Sequence, residues 1–75
     1  MHQPPTTFEV DGTAICTRRM QQGMSVRQLA EQVGCTPNYL RKIERGTRKH
    51  VGPAYYTALR TTLNASDADL LKQVP

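Results

Sequence analysis

Residues 25–46 read SVRQLAEQVGCTPNYLRKIERG, and this segment is the most informative about the fold. It opens with Ser25 and Gln28 in the form S-x-x-Q, in which the serine oxygen caps a backbone amide and the glutamine side chain reaches back. Apolar residues then recur at helical spacing as far as Val33. Gly34 is a residue type that commonly ends helices. The pattern predicts a short helix that starts just after Ser25.

A second helix follows almost at once. Thr36 is a capping residue, and Pro37 takes the first helical position, where its missing N–H costs nothing. Leu40 and Ile43 give this helix an apolar side. Two short helices this close in sequence cannot run antiparallel, so they cross at a steep angle, as in a helix-turn-helix. Ala30, a small residue on the first of the two, lets them touch.

The flanking sequence predicts three more helices. Asp11 caps a first helix that runs to about residue 22, where glycine stops it. Pro53 starts a fourth helix, and the Asn64-Ala65 pair breaks it. Ser66 caps a last short helix. The apolar residues of that last helix are Leu70, Leu71 and Val74.

A chain of 75 residues has room for one domain. Residues 1–10 are assigned to a flexible N-terminal tail, because MHQPPTT carries two prolines and no apolar pattern. Phe8 and Val10 are the first apolar residues that could pack. Residues 11–75 are assigned to the domain, with the helix-turn-helix at about 25–45. We find no strand pattern and no repeat, so the predicted class is all-α, a bundle of five short helices.

Charge is distributed unevenly along the chain. Ten Lys and Arg stand against six Asp and Glu, a net charge of +4. Residues 36–50 carry five cations against Glu44 alone, so five minus one, or the entire net charge, lies in the third helix and the following loop. A basic run is often only a solvated face. Combined with a helix-turn-helix, it favours an anionic partner.

The sequence offers no catalytic or metal site. Cys16 and Cys35 do not form a C-x-x-C pair, and no nearby histidine completes a metal set. The carboxylates are scattered, mostly at helix caps, and no nucleophile lies in a pattern with a base. We therefore expect no enzyme, no cofactor, no metal and no structural disulfide. We also expect no membrane span and no secretory signal. Two unpaired thiols are typical of a reducing compartment, so we expect a cytoplasmic protein.

Residues 25–46 resemble the helix-turn-helix of the Cro/C1-type (XRE, phage-repressor) family. The family pattern S-x-x-x-L-A-x-x-x-G, continued to [LI]-E-x-G, fits this stretch, and Ile-Glu-Arg-Gly at 43–46 is its most specific part. The resemblance covers about residues 12–71 and implies a lambda-repressor-like, compact five-helix bundle. It implies a bacterial or phage-encoded, nucleoid-associated transcriptional regulator, repressor-like, that binds double-stranded DNA as a homodimer. The loop at 48–52 is more basic than is typical of the family.

The resemblance also assigns roles to side chains, with the third helix in the major groove. Base edges are read from the start and the outer face of that helix, at Thr36, Pro37, Asn38, Arg41 and Lys42. Phosphates or backbone are contacted by Gln28, Tyr39, Arg45, Thr47, Arg48 and Lys49. Glu44 is expected to form an ion pair with Arg19 of the first helix, which would remove a repulsive charge from the DNA side.

Other interpretations remain open at this stage. A helix-turn-helix module can act mainly through protein partners, as an antitoxin or adapter, or serve as a phage or plasmid excision-control factor. Polar residues on the third helix favour DNA over a protein partner. Ser25 and Gln28 are equally explained as a capping box without DNA contact. Tyr55 and Tyr56 are expected at the core and rim of the bundle, with a dimer surface as the alternative.

Overall fold

The computed structural model describes residues 7–72. Residues 1–6 of the tail predicted over residues 1–10, and the predicted role of Val74, lie outside the described range. No helix in this range is long and apolar enough to cross a bilayer. The elements, in chain order, are β1 (Phe8–Glu9), α1 (Gly12–Gln21), α2 (Val26–Val33), α3 (Pro37–Arg45), β2 (His50–Val51), α4 (Pro53–Leu63) and α5 (Asp67–Leu70).

The helices begin where the sequence places capping residues, and the all-α class with five helices in residues 7–72 is confirmed. Asp11 accepts a hydrogen bond from the Ala14 amide at 3.2 Å. The Ser25 hydroxyl accepts from the Gln28 amide at 3.1 Å, and the Gln28 side chain returns a bond to the Ser25 amide at 2.8 Å. Gly34 ends α2 at φ 88°, a left-handed conformation that favours glycine.

One apolar core joins all five helices and both ends of the described chain. Burial of this surface is the main driving force for folding. The buried side chains are Val10, Ile15, Leu29, Ala30, Val33, Leu40, Ile43, Val51, Tyr56, Leu59, Leu63 and Leu70.

The prediction that the chain has no strand is wrong. β1 pairs antiparallel with β2, with Phe8 opposite Val51 and Glu9 opposite His50. Val10 continues the segment: its amide donates to the Lys49 carbonyl at 2.9 Å. A strand of two residues is too short to show an alternation of polar and apolar side chains, so no sequence pattern marks either strand.

This pairing corrects the boundary of the tail. Phe8 stacks on Tyr56, with ring centroids 4.3 Å apart and planes 18° from parallel. Val10 is buried and forms a β-bridge with Leu71. Residues 8–10 therefore belong to the folded unit. Leu71, predicted on the last helix, is extended because it takes part in that bridge.

Polar contacts hold α5 against α1 and α4. The Tyr56 hydroxyl donates to Asp67, and burial together with this bond raises the pKa of Tyr56 to about 12. Arg60 reaches the same carboxylate at 3.1 Å, and Arg18 of α1 pairs with Asp69 at 2.7 Å. The Tyr56 bond is the main cause of the lowered pKa of Asp67. A helix of a single turn thus depends on its neighbours for its position.

The start of α1 lies against the end of α3. A Cβ on Gly12 would lie 2.1 Å from the carbonyl oxygen of Ile43 and 2.8 Å from that of Glu44. Both distances are far below van der Waals contact, and both neighbours are backbone atoms. Only glycine fits at this crossing, which the sequence analysis did not identify.

Gly12→Ala is expected to destabilise the domain by about 1–3 kcal/mol, because the added methyl group must push the two backbones apart. In an exposed helix the same change normally stabilises by up to about 1 kcal/mol, so the sign is diagnostic. Urea unfolding followed by circular dichroism measures it. Thr13→Ala, at the exposed next position, is the control and is expected within about 0.5 kcal/mol of the parent. A Gly12→Ala protein as stable as the parent would contradict the tight crossing.

Candidate nucleic-acid interface

The third helix has one buried and one exposed side. Leu40 and Ile43 are buried, and the helix packs through them against α1 and α2. Asn38, Arg41 and Lys42 are exposed on the other side. The residues predicted to read bases therefore form two groups. Thr36 and Pro37 lie at the start of α3, and the other three lie on its exposed side.

Ion pairing leaves a group of cations without partners. Four of the six carboxylates form ion pairs, each with a different cation. The pairs are Glu9–Lys72, Arg18–Asp69, Arg19–Glu44 and Arg60–Asp67. Of the other two, Asp11 caps α1 and Glu31 is exposed on α2. The six cations of residues 7–72 that form no ion pair there are Arg27, Arg41, Lys42, Arg45, Arg48 and Lys49. Five of these lie on α3 or in the loop after it, so this side carries the uncompensated positive charge.

The base-reading candidates have different freedom. Thr36 is the N-cap of α3, and its hydroxyl accepts from the Tyr39 amide at 3.1 Å, which leaves its O–H available to donate to a ligand. Pro37 is half-buried at the first helical position. Asn38, Arg41 and Lys42 project into solvent and form no ion pair with a described residue. Within the predicted set, these three side chains carry exposed N–H donors.

Of the residues predicted to contact the DNA backbone, some are freely exposed and others are partly held by neighbouring groups of the protein. Gln28 is exposed, but its side-chain oxygen Oε1 accepts from the Ser25 amide in the capping box of α2. Its side-chain NH₂ group is left to donate to a ligand. Arg45, Thr47 and Lys49 are exposed. Tyr39 is half-buried, and the Arg48 guanidinium lies 5.0 Å from the centroid of its ring.

Arg27 belongs with the unpaired cations, although the sequence analysis passed over it. It is exposed in the first turn of α2, where no acidic residue balances it. A positive charge near a helix N-terminus is unfavourable, and an approaching anion would relieve it. The signal was present in the sequence as a basic residue inside the Ser25–Gln28 capping box.

The structure brings Arg19 and Glu44 together. Arg19 Nε lies 2.8 Å from Glu44 Oε2, and Nη2 lies 3.1 Å from Oε1, a two-pronged contact. Arg19 Nη1 also donates to the Met24 carbonyl at 2.8 Å. The pair is largely buried, with 13% and 8% of the side chains exposed, and the bond to Glu44 raises the pKa of Arg19. The only carboxylate on α3 is thereby neutralised, and the end of α3 is fixed to α1.

Arg19→Ala is expected to lower the free energy of unfolding by about 3–5 kcal/mol, because it leaves Glu44 partly buried without a partner. The midpoint of thermal unfolding measures this. Lys72→Ala is the control: its contact with Glu9 is 3.8 Å long and exposed, so its loss is expected to cost less than about 1 kcal/mol. Equal melting of the Arg19→Ala protein and the parent would show that the pair does not hold α3.

The two cysteines form no disulfide. Cys16 and Cys35 are half-buried free thiols. Cys16 Sγ is 3.7 Å from Arg19 Nη2, and burial raises the pKa of Cys35. Within residues 7–72 no group of three or more His, Cys, Asp or Glu side chains could hold a metal ion.

Comparison with known proteins identifies the family. Residues 12–72 match the family model described as a helix-turn-helix domain. The chain is a member of the XRE, Cro/C1-type helix-turn-helix family. A comparison with curated protein sequences gives no match.

Solved structures of this family superpose on most of the chain. The clp gene regulator ClgR from Corynebacterium glutamicum is 34% identical with a TM-score of 0.70, over 77% of this chain and 61% of that chain. SinR, the master regulator for biofilm formation, in complex with DNA, is 28% identical with a TM-score of 0.71, over 77% of this chain and 95% of that chain. The Bacillus subtilis SinR N-terminal DNA-binding domain is 29% identical with a TM-score of 0.68, over 73% of this chain and 80% of that chain.

The helix-turn-helix chain thus spans about three-fifths of the ClgR chain that it matches. It has the fold of DNA-binding transcription regulators. The likeness covers the whole of the surface described above, since residues 12–72 include α2, α3 and the basic loop.

Proposed function

We propose that this protein is a sequence-specific, double-stranded DNA-binding transcriptional regulator of the repressor type, and that α3 enters the major groove. The observation that carries the proposal is the set of six unpaired cations, five of them on α3 and the loop after it. Uncompensated positive charge attracts the phosphate backbone and releases its counterions. SinR, whose fold is similar, is known in complex with DNA.

Base recognition is assigned to the exposed start and outer face of α3. Asn38 has the amide geometry that pairs with adenine N6 and N7, while Arg41 and Lys42 suit guanine N7 and O6. Pro37 has no donor, so it would contact a thymine methyl group or the backbone. Thr36 would donate its O–H. Each good two-pronged pair contributes about 1–3 kcal/mol of discrimination between bases.

Contacts to the DNA backbone are assigned to the cations and amides around α3. They fix the position of the protein on the duplex but carry no sequence information. The residues proposed for this role are Arg27, Gln28, Arg45, Thr47, Arg48 and Lys49. With roughly four to six phosphates neutralised per protomer, log K would fall by about 0.9 per phosphate for each tenfold rise in salt.

A homodimer on DNA is the proposed active form, in the cytoplasm. One protomer of this size buries little surface, and linking two copies on one duplex raises the overall affinity without new contacts. Two-fold symmetric binding by a helix-turn-helix dimer requires half-sites about 34 Å apart, or one helical turn. The proposed operator is therefore close to palindromic.

A protein partner is the second candidate, because SinR is also known in a complex with the protein SinI. In that case α3 would still be basic, but DNA binding would be weak and indifferent to sequence. A measurement of sequence preference in DNA binding therefore distinguishes the two candidates.

Selection from a pool of random duplexes at about 100 mM salt tests the proposal. We expect a palindromic consensus bound far more tightly than the average of the pool. Weak binding with a steep salt dependence and no consensus would mean that α3 provides only electrostatic attraction. The protein-partner candidate would then replace the proposed function.

Two substitutions separate base reading from phosphate contact on the selected duplex. Arg41→Ala is expected to cost about 1–3 kcal/mol and to relax preference at one base pair per half-site. Lys49→Ala is expected to weaken all sequences alike and to reduce the salt slope by about one for each protomer. Fluorescence anisotropy over a salt series measures both. Equal losses on matched and mismatched duplexes for both variants would remove Arg41 from the base-reading residues.

A further inference from the structure

We infer that Tyr39 serves DNA binding through its ring, which holds the Arg48 guanidinium in place, and not through its hydroxyl group. The inference rests on the proposed function. It replaces the direct phosphate contact that the sequence analysis predicted for Tyr39, and it makes this tyrosine a positioning residue for Arg48.

The geometry joins one cation to two aromatic rings. Arg48 Cζ lies 5.0 Å from the centroid of the Tyr39 ring, within the distance of about 6 Å at which a ring attracts a cation. The Tyr55 ring lies 5.4 Å from that of Tyr39, tilted by 52°. Both tyrosines are half-buried and pack against the core. The ring beside Arg48 is therefore held by the body of the domain and does not depend on the loop.

Hydrogen bonds also fix the backbone at Arg48 and at the residue after it. The Arg48 amide donates to the Lys42 carbonyl at 3.0 Å, which folds the loop back onto α3. In the following residue, the Lys49 carbonyl accepts from the Val10 amide at 2.9 Å. Arg48 itself is exposed and forms no ion pair with a described residue. Its remaining freedom is in the side chain, and the Tyr39 ring restricts that.

A restrained cation has an advantage in binding phosphate. A free arginine side chain loses rotamer freedom when it binds a phosphate oxygen, whereas one already held against a ring has lost part of it beforehand. The planar guanidinium can stack on a ring and still present its edge donors to an anion. Tyr39, in the first turn of α3, thus holds the Arg48 charge against the helix that is proposed to read bases.

Anisotropy on the selected duplex tests the inference with four variants. Tyr39→Leu is expected to raise Kd about two- to five-fold for each protomer bound, and to raise it no further when Arg48→Ala is already present. Tyr39→Phe keeps the ring and is expected to restore affinity to within about twofold of the parent. Thermal melting checks that each variant is folded. If Tyr39→Phe binds as weakly as Tyr39→Leu, or if Tyr39→Leu costs the same factor with and without Arg48, the inference is wrong.

A second measurement on the free protein does not depend on DNA. The ring current of Tyr39 is expected to shift the NMR signals of the Arg48 δ protons upfield in the parent and in Tyr39→Phe, and the shift should be lost in Tyr39→Leu. Unshifted protons in the parent would overturn the inference even if the duplex is bound as proposed. A parent that binds no duplex, with the shift present, would overturn the proposed function and this role with it.

Discussion

The contact between α1 and the end of α3 sets the orientation of the third helix. Gly12 lets the two backbones approach within a distance that no side chain permits. Two turns further along α1, Arg19 binds Glu44 in a largely buried pair. Because α3 is fixed at its last turn and buried through Leu40 and Ile43, its polar side cannot turn inward. A short helix with little stability of its own is thereby presented in one orientation.

The same contact also removes the negative charge from α3. Four of the six carboxylates pair with cations, Asp11 caps α1 and Glu31 is exposed on α2. The one carboxylate on α3 is neutralised by Arg19. What remains around α3 is positive charge that forms no ion pair within residues 7–72. Surface ion pairs contribute little to stability. Their consequence here is a division of the surface, with a nearly neutral body and one basic side.

Much of the fold follows from local rules that a single sequence displays. Capping residues, glycine at helix ends and apolar spacing predicted the five helices, and the resemblance to the XRE family led to the Arg19–Glu44 pair. The two short strands and the crossing at Gly12 could not be predicted, because each depends on segments far apart in the chain. The place of Arg48 beside Tyr39 depends likewise on how the loop folds back. The roles given to Asn38 and its neighbours at the bases stay predictions.

The most direct test of this account is an NMR titration of the isotope-labelled protein with the selected duplex. The account predicts that the largest amide shift changes lie in residues 36–49 and the first turn of α2. The amides of α5 and of the exposed side of α1 should change little at the same ratio of duplex to protein. Changes centred on α4 and α5, with the α3 amides unmoved, would contradict the claim that α3 and its loop form the binding surface.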